Sequence, residues 1–86
     1  MSYYPNTIYA LREKLEEGFP GVEAESGLDC LPAHLLWMLD EIEGMDDLPK
    51  ASRWIGWATG RCEDLELLNN QESRDLTRVD VENGYK

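Results

Sequence analysis

The stretch Pro49-Lys50-Ala51-Ser52-Arg53-Trp54-Ile55-Gly56-Trp57-Ala58-Thr59-Gly60-Arg61-Cys62 decides how the chain is read. Advancing about 100° per residue, it divides into two helical faces of different chemistry. Leu48, Ala51, Ile55, Ala58, Cys62 and Leu65 fall on one apolar stripe, with Trp54 at its edge. Lys50, Arg53, Trp57, Gly60, Arg61, Asp64 and Leu68 fall on the other. The first set is an ordinary core face. The second sets an indole among cations with glycines beside it, which core packing does not require. Lys50, Arg53, Trp57, Gly60 and Arg61 are therefore the candidate binding face. An indole stacks on a base or a guanidinium, and flanking cations hold phosphates or carboxylates.

Gly56 and Gly60 sit inside this helix, predicted over 49–68, at a cost of about 1 kcal/mol each relative to alanine. Their spacing predicts close helix–helix packing, with a groove for a flat ligand as the alternative. Upstream, Met45-Asp46-Asp47-Leu48-Pro49 is a turn in which Asp46 or Asp47 caps the helix and Pro49 takes an early helical position.

A preceding helix is predicted over 32–43, opening at Pro32 and stopping at Gly44. Leu35, Leu39 and Ile42 form its stripe with Met38 beside them, while Leu36 and Trp37 lie on other faces. A helix apolar nearly all round is buried on several sides, more than a chain of 86 residues readily provides. Leu36, Trp37 and Gly56 are accordingly the candidate self-association residues, and a homo-oligomer is expected. His34, the sole histidine, reads as a cap or a partly buried polar group. The two helices form an antiparallel hairpin.

Further out, Ile8, Leu11 and Leu15 predict a first helix over 7–17, capped by Asn6 or Thr7 and stopped by Gly18. Tyr3, Tyr4 and Tyr9 are placed to dock on a neighbour. Residues 19–30 read as a loop pinned by Phe19, Val22 and Leu28. A short fourth helix over 71–78, capped by Asn70, turns Leu76 and Val79 inward. The tail from Asp80 frays. The fold class is all-α, one helical domain.

The formal charge is −10, from 18 acidic and 8 basic residues. Generic binding to DNA or RNA needs cations to displace phosphate counterions and is not expected. Asp40, Glu41, Glu43, Asp46 and Asp47 form a candidate acidic surface for a protein partner. Cys30 and Cys62 match no metal or redox spacing, and no signal peptide or membrane-length apolar run occurs, so a cytoplasmic protein with reduced thiols is expected. No nucleophile elbow, HExxH motif, paired CxxC or phosphate-cradling glycine loop is present. The chain reads as non-enzymatic, with no catalytic residue, metal or cofactor implied.

The segments His34-Leu35-Leu36-Trp37-Met38 and Lys50-Ala51-Ser52-Arg53-Trp54-Ile55-Gly56-Trp57, followed by Gly60, resemble a small protein type of bacteriophages and prophages. That type shares an HxLWM segment and a KAxRW[IL]G-aromatic-xxG segment, and the resemblance covers residues 33–61. It implies a phage accessory protein acting in the host cytoplasm, in the company of small acidic inhibitors of host defence. Three functions follow as expectations. The leading one is an anti-defence inhibitor that binds a host protein, such as a nucleic-acid-binding defence component, through the acidic surface. The second is a sponge for a small nucleotide signal on the Lys50/Arg53/Trp57/Arg61 face, and the third a structural homo-oligomeric assembly protein.

Overall fold

A computed structural model describes residues 3–27 and 32–84. Four helices follow one another: α1, Pro5–Gly18; α2, Ala33–Glu43; α3, Leu48–Asp64; and α4, Asn70–Glu82. The all-α class is as the sequence predicts, and each boundary has an identifiable chemical cause.

α1 begins at Pro5, whose missing N–H is no loss in the first turn. Asn6 and Thr7 do not cap it; they lie inside the first turn. Their amides are satisfied by Asp80 of α4, which lies 2.9 Å from Asn6 N and 2.8 Å from Thr7 N. Gly18 is the last helical residue, and its lack of a side chain has a packing use. A Cβ there would lie 2.5 Å from Leu67 Cδ2.

α2 and α3 form the expected hairpin. Gly44 closes α2, and Asp47 caps α3 by accepting from Lys50 N at 3.1 Å, with Pro49 in the first turn. α3 stops at Asp64, short of the predicted 68. Glu66 adopts φ 61°, Glu66 N donates to Glu63 O, and Leu67 N donates to Cys62 O, each at 3.0 Å. This pair of bonds is a Schellman turn. The chain therefore leaves the helical path before Leu68, which is buried against the core rather than on the cationic face.

α4 opens on a capping box. Asn69, not Asn70, accepts from Glu72 N, while Glu72 accepts from Asn69 N. The helix continues through Asp80 to Glu82, so this part of the tail is helical rather than frayed. Its orientation also differs from expectation. Ser73 and Asp80 are its buried residues, whereas Leu76 is only half-buried and Val79 is 42% exposed.

One core cluster unites the first three helices: Ile8, Leu11 and Leu15 of α1, Leu35, Leu39 and Ile42 of α2, and Ala51, Ile55, Ala58 and Cys62 of α3, joined by Leu68 of the α3–α4 connection; α4 is tied to α1 through the buried Asp80. Most of the apolar stripe of α3 is thus the core stripe. Tyr4 joins it and hydrogen-bonds Ser52 Oγ at 2.7 Å, while the Tyr3 hydroxyl donates to Asp46 O at 2.9 Å. These two tyrosines dock on their own chain, and Tyr9 stays 65% exposed. No helix among the described residues is long and apolar enough to cross a membrane.

Candidate functional site

The hairpin carries aromatic residues at matching helical intervals: His34 and Trp37 on α2, Trp54 and Trp57 on α3. Antiparallel packing brings the two pairs together. His34 stacks on Trp37 with centroids 5.4 Å apart and meets Trp57 edge-on at 5.7 Å. Trp37 in turn lies 6.1 Å from Trp54. All the tryptophans of the chain therefore belong to one four-ring row across two helices. Such pairs contribute about 0.5–1.5 kcal/mol each beyond area burial. With Met38, the four rings line an open cleft of about 310 Å³.

His34 is the inner member, only 5% exposed. Its Nδ1 lies 3.1 Å from Ser26 O. A carbonyl can only accept, so Nδ1 carries the proton in that contact. Glu25 N also donates to Ala33 O at 3.1 Å, and these bonds lay the loop of residues 19–27 against the start of α2. Phe19 and Val22, two of the expected anchors, are half-buried and are not among the residues packed against the core cluster. The third expected anchor, Leu28, and Cys30 lie outside the described residues.

The predicted cationic face is present but differently wired. Lys50 Nζ sits 5.3 Å from the ring centroid of Trp54, not of Trp57. Arg61 Cζ lies 5.2 Å from the Trp57 ring, and Arg61 Nη1 also pairs with Asp64 Oδ2 at 3.1 Å. Arg53 is exposed and makes no ion pair or hydrogen bond within the described residues. Gly56 and Gly60 do not serve close helix packing, because a Cβ at either would meet nothing within 4 Å. Instead they floor a second open groove of about 540 Å³ on the far side of Trp57, bordered by Arg61, Glu63 and Asp64. Trp57, 39% exposed, is the ridge between groove and cleft.

The predicted acidic surface is largely engaged with its own chain. Arg12 of α1 pairs with Asp40 at 2.5 Å and with Glu43 at 2.8 Å. Burial opposes the charge of Arg12, but the hydrogen bonds it donates to Glu43 and Asp40, with their negative charge, outweigh it and raise the guanidinium pKa above its ordinary value. The Asp47 side chain caps α3 and the Asp46 carbonyl holds Tyr3. The carboxylates of Glu41 and Asp46 are exposed and make no side-chain hydrogen bond or ion pair among the described residues.

The three self-association candidates separate. Within one chain, α2 buries Ala33, His34, Leu35, Met38, Leu39 and Ile42, and Leu36 and Trp37 are half-buried against the core. A single chain therefore covers most of this apolar helix, which the sequence reading did not expect. Trp37 belongs to the cleft and Gly56 to the groove. Among the described residues, no group of His, Cys, Asp or Glu side chains is arranged to hold a metal ion. Cys62 is fully buried, and burial with the nearby charge of Glu63 pushes its thiol up to about 12.

Sequence reasoning assigned Trp57 to the site and missed His34, Met38 and Trp54 as its neighbours. The usable signal was the matching three-residue interval of His34/Trp37 and Trp54/Trp57 on the two arms of one hairpin. No protein-family model, curated protein or solved structure matches this chain.

Proposed function

We propose that this chain is a non-enzymatic protein-binding module that docks on its partner through the tryptophan cleft of the α2–α3 hairpin. The observation that carries the reading is the cleft itself: His34, Trp37, Met38, Trp54 and Trp57 surround an open, apolar hollow on the surface. Hollows of this kind receive one anchoring side chain of a partner, and tryptophan-rich centres supply much of the binding energy of protein interfaces. An aliphatic or aromatic side chain fills the cleft, and a carboxylate beside it pairs with Arg53, a cation on α3 that has no side-chain partner among the described residues. Asp40, Glu43 and Asp47 are committed within the chain, so the weight of the contact moves from the acidic surface to the aromatic one. In the setting implied by the resemblance to phage proteins, the partner is a host protein and the chain an inhibitor of it.

The nucleotide reading ranks second. Arg61 over Trp57 favours it, but Glu63 and Asp64 border the same groove and would repel a phosphate.

The test uses the whole chain and its Trp57→Ala variant as paired baits in a bacterial lysate, with nucleotide thermal-shift assays alongside. A protein retained by the parent and lost with Trp57→Ala, at unchanged helicity, supports the reading. Retention that ignores Trp57, or a thermal shift with nucleotides that Trp57→Ala abolishes, contradicts it.

A further inference from the structure

The lining of the tryptophan cleft contains one strong hydrogen-bond acceptor. Trp37, Met38, Trp54 and Trp57 supply none, since an indole only donates and a thioether accepts weakly. The remaining side chain is the imidazole of His34, which is 5% exposed. It is held in place by Nδ1 donating to Ser26 O at 3.1 Å, by the stacked ring of Trp37 and by the edge-on ring of Trp57. With the proton on Nδ1, Nε2 carries a lone pair and can only accept. That lone pair points away from Ser26, and nothing among the described residues donates to it.

We propose, on the footing of the cleft reading above, that His34 selects the occupant: Nε2 accepts a hydrogen bond from the rim of the partner's anchoring ring. The anchor is then a tryptophan or tyrosine side chain. A phenylalanine, leucine or methionine would shut Nε2 off from water and offer no donor in exchange, and an unpaired buried acceptor counts against binding. An indole or a phenol fills the same apolar space and carries one N–H or O–H at its edge. Lysine and arginine also donate, but they bring a charge. Lys50 and Arg61 already lie over the rings of Trp54 and Trp57, so a third cation in the cleft would meet like charge. Hydrogen bonding to Nε2 also leaves the Nδ1 contact with Ser26 intact, so the anchor enters without displacing the loop of residues 19–27.

The probe is a displayed random-peptide library selected on the full chain, with counter-selection on Trp57→Ala. The enriched peptides are expected to share a tryptophan or tyrosine. In a synthetic peptide from that pool, N-methylation of the indole, or phenylalanine in place of tyrosine, lowers affinity for the parent about tenfold. His34→Phe keeps a ring but no acceptor, and against it the two forms of the peptide bind alike. Because His34 is the sole histidine, its nitrogen-15 resonances are read without ambiguity. Peptide binding is expected to shift Nε2 while Nδ1 keeps its proton, and this spectrum of the parent decides the matter if His34→Phe disturbs the fold. Peptides anchored by phenylalanine or leucine overturn the inference and leave the cleft reading in place. So do native and N-methylated anchors that bind the parent alike, or an Nε2 resonance indifferent to the peptide. The absence of any Trp57-dependent peptide overturns both. Nucleobases also carry edge donors, so a nucleotide that shifts Nε2 where no peptide does overturns the choice of a protein side chain.

Discussion

Asp80 caps the helix that begins at Thr7's turn. The Thr7 hydroxyl donates to Asp80 Oδ2 at 2.5 Å and the Thr7 amide to the same oxygen at 2.8 Å, while the Asn6 amide reaches Oδ1 at 2.9 Å. These are the first-turn amides that a local capping side chain would satisfy. Here α4 supplies the carboxylate from 73 residues away, and its charge suits the positive end of the α1 dipole. Both Thr7 and Asp80 are fully buried, so water cannot replace the bond.

Asp80→Ala should therefore cost about 3 kcal/mol, since it strands buried donors rather than merely removing a contact. Asp80→Asn should cost less, keeping an acceptor but losing the charge. Chemical denaturation of the two variants measures the difference. Truncation before residue 80 should match Asp80→Ala, whereas a frayed tail would be removed without effect.

Glu66 holds the left-handed conformation of the Schellman turn without being a glycine. A side chain there costs about 1–2 kcal/mol. Glu66→Gly should raise stability by about 1 kcal/mol, and Glu66→Val should lower it. Thermal unfolding reads both, with a shift of about 4–8 °C per kcal/mol for a domain of this size.

Gly56 and Gly60 lie in a helix interior with open space where a Cβ would go. Gly56→Ala and Gly60→Ala should each stabilise the chain by about 1 kcal/mol. If instead either alanine destabilises, the two glycines are in closer contact than the structure gives.

Cys62 offers a pH signature. Its thiol is raised from the ordinary 9.0 to about 12 by burial and by Glu63. The unfolded chain therefore ionises at lower pH than the folded one. The contribution of Cys62 to stability is complete below pH 9 and is lost as pH rises towards 12. The stability of the parent should fall through this window more steeply than that of Cys62→Ala. Alkylation of Cys62 at neutral pH, located by peptide mass mapping, should proceed only on unfolding.

The hairpin was legible in the sequence because its signals are local. Pro49 and the Asp47 cap mark one helix start, Gly44 marks a stop, and the stripe through Ala51, Ile55, Ala58 and Cys62 points to the core at a fixed interval. What escaped was non-local or lacked its usual marker. No helical period connects Thr7 to Asp80. The turn at Glu66 has no glycine to announce it, so α3 was read too long and Leu68 was put on the wrong face. In α4, Leu76 and Val79 look like a core stripe until the demand of α1 for a carboxylate turns Asp80 inward instead. Of the candidate site, Trp57 was legible from its cationic neighbours. Its partnership with His34 and Trp37 required two helices to be placed side by side.

The central claim is that the cleft of Trp37, Trp54 and Trp57 takes a side chain of another protein. All three tryptophans line the cleft, and Trp57 also borders the neighbouring groove, so tryptophan emission reports on this part of the surface. The direct measurement is selection of a displayed random-peptide library on the folded protein with counter-selection on Trp57→Ala, followed by fluorescence titration of the enriched peptides. The account predicts peptides that share an apolar anchor beside an acidic residue, shift the tryptophan emission, and lose affinity with Arg53→Glu. No enrichment over the Trp57→Ala control, or peptides that bind without altering the emission, would contradict it.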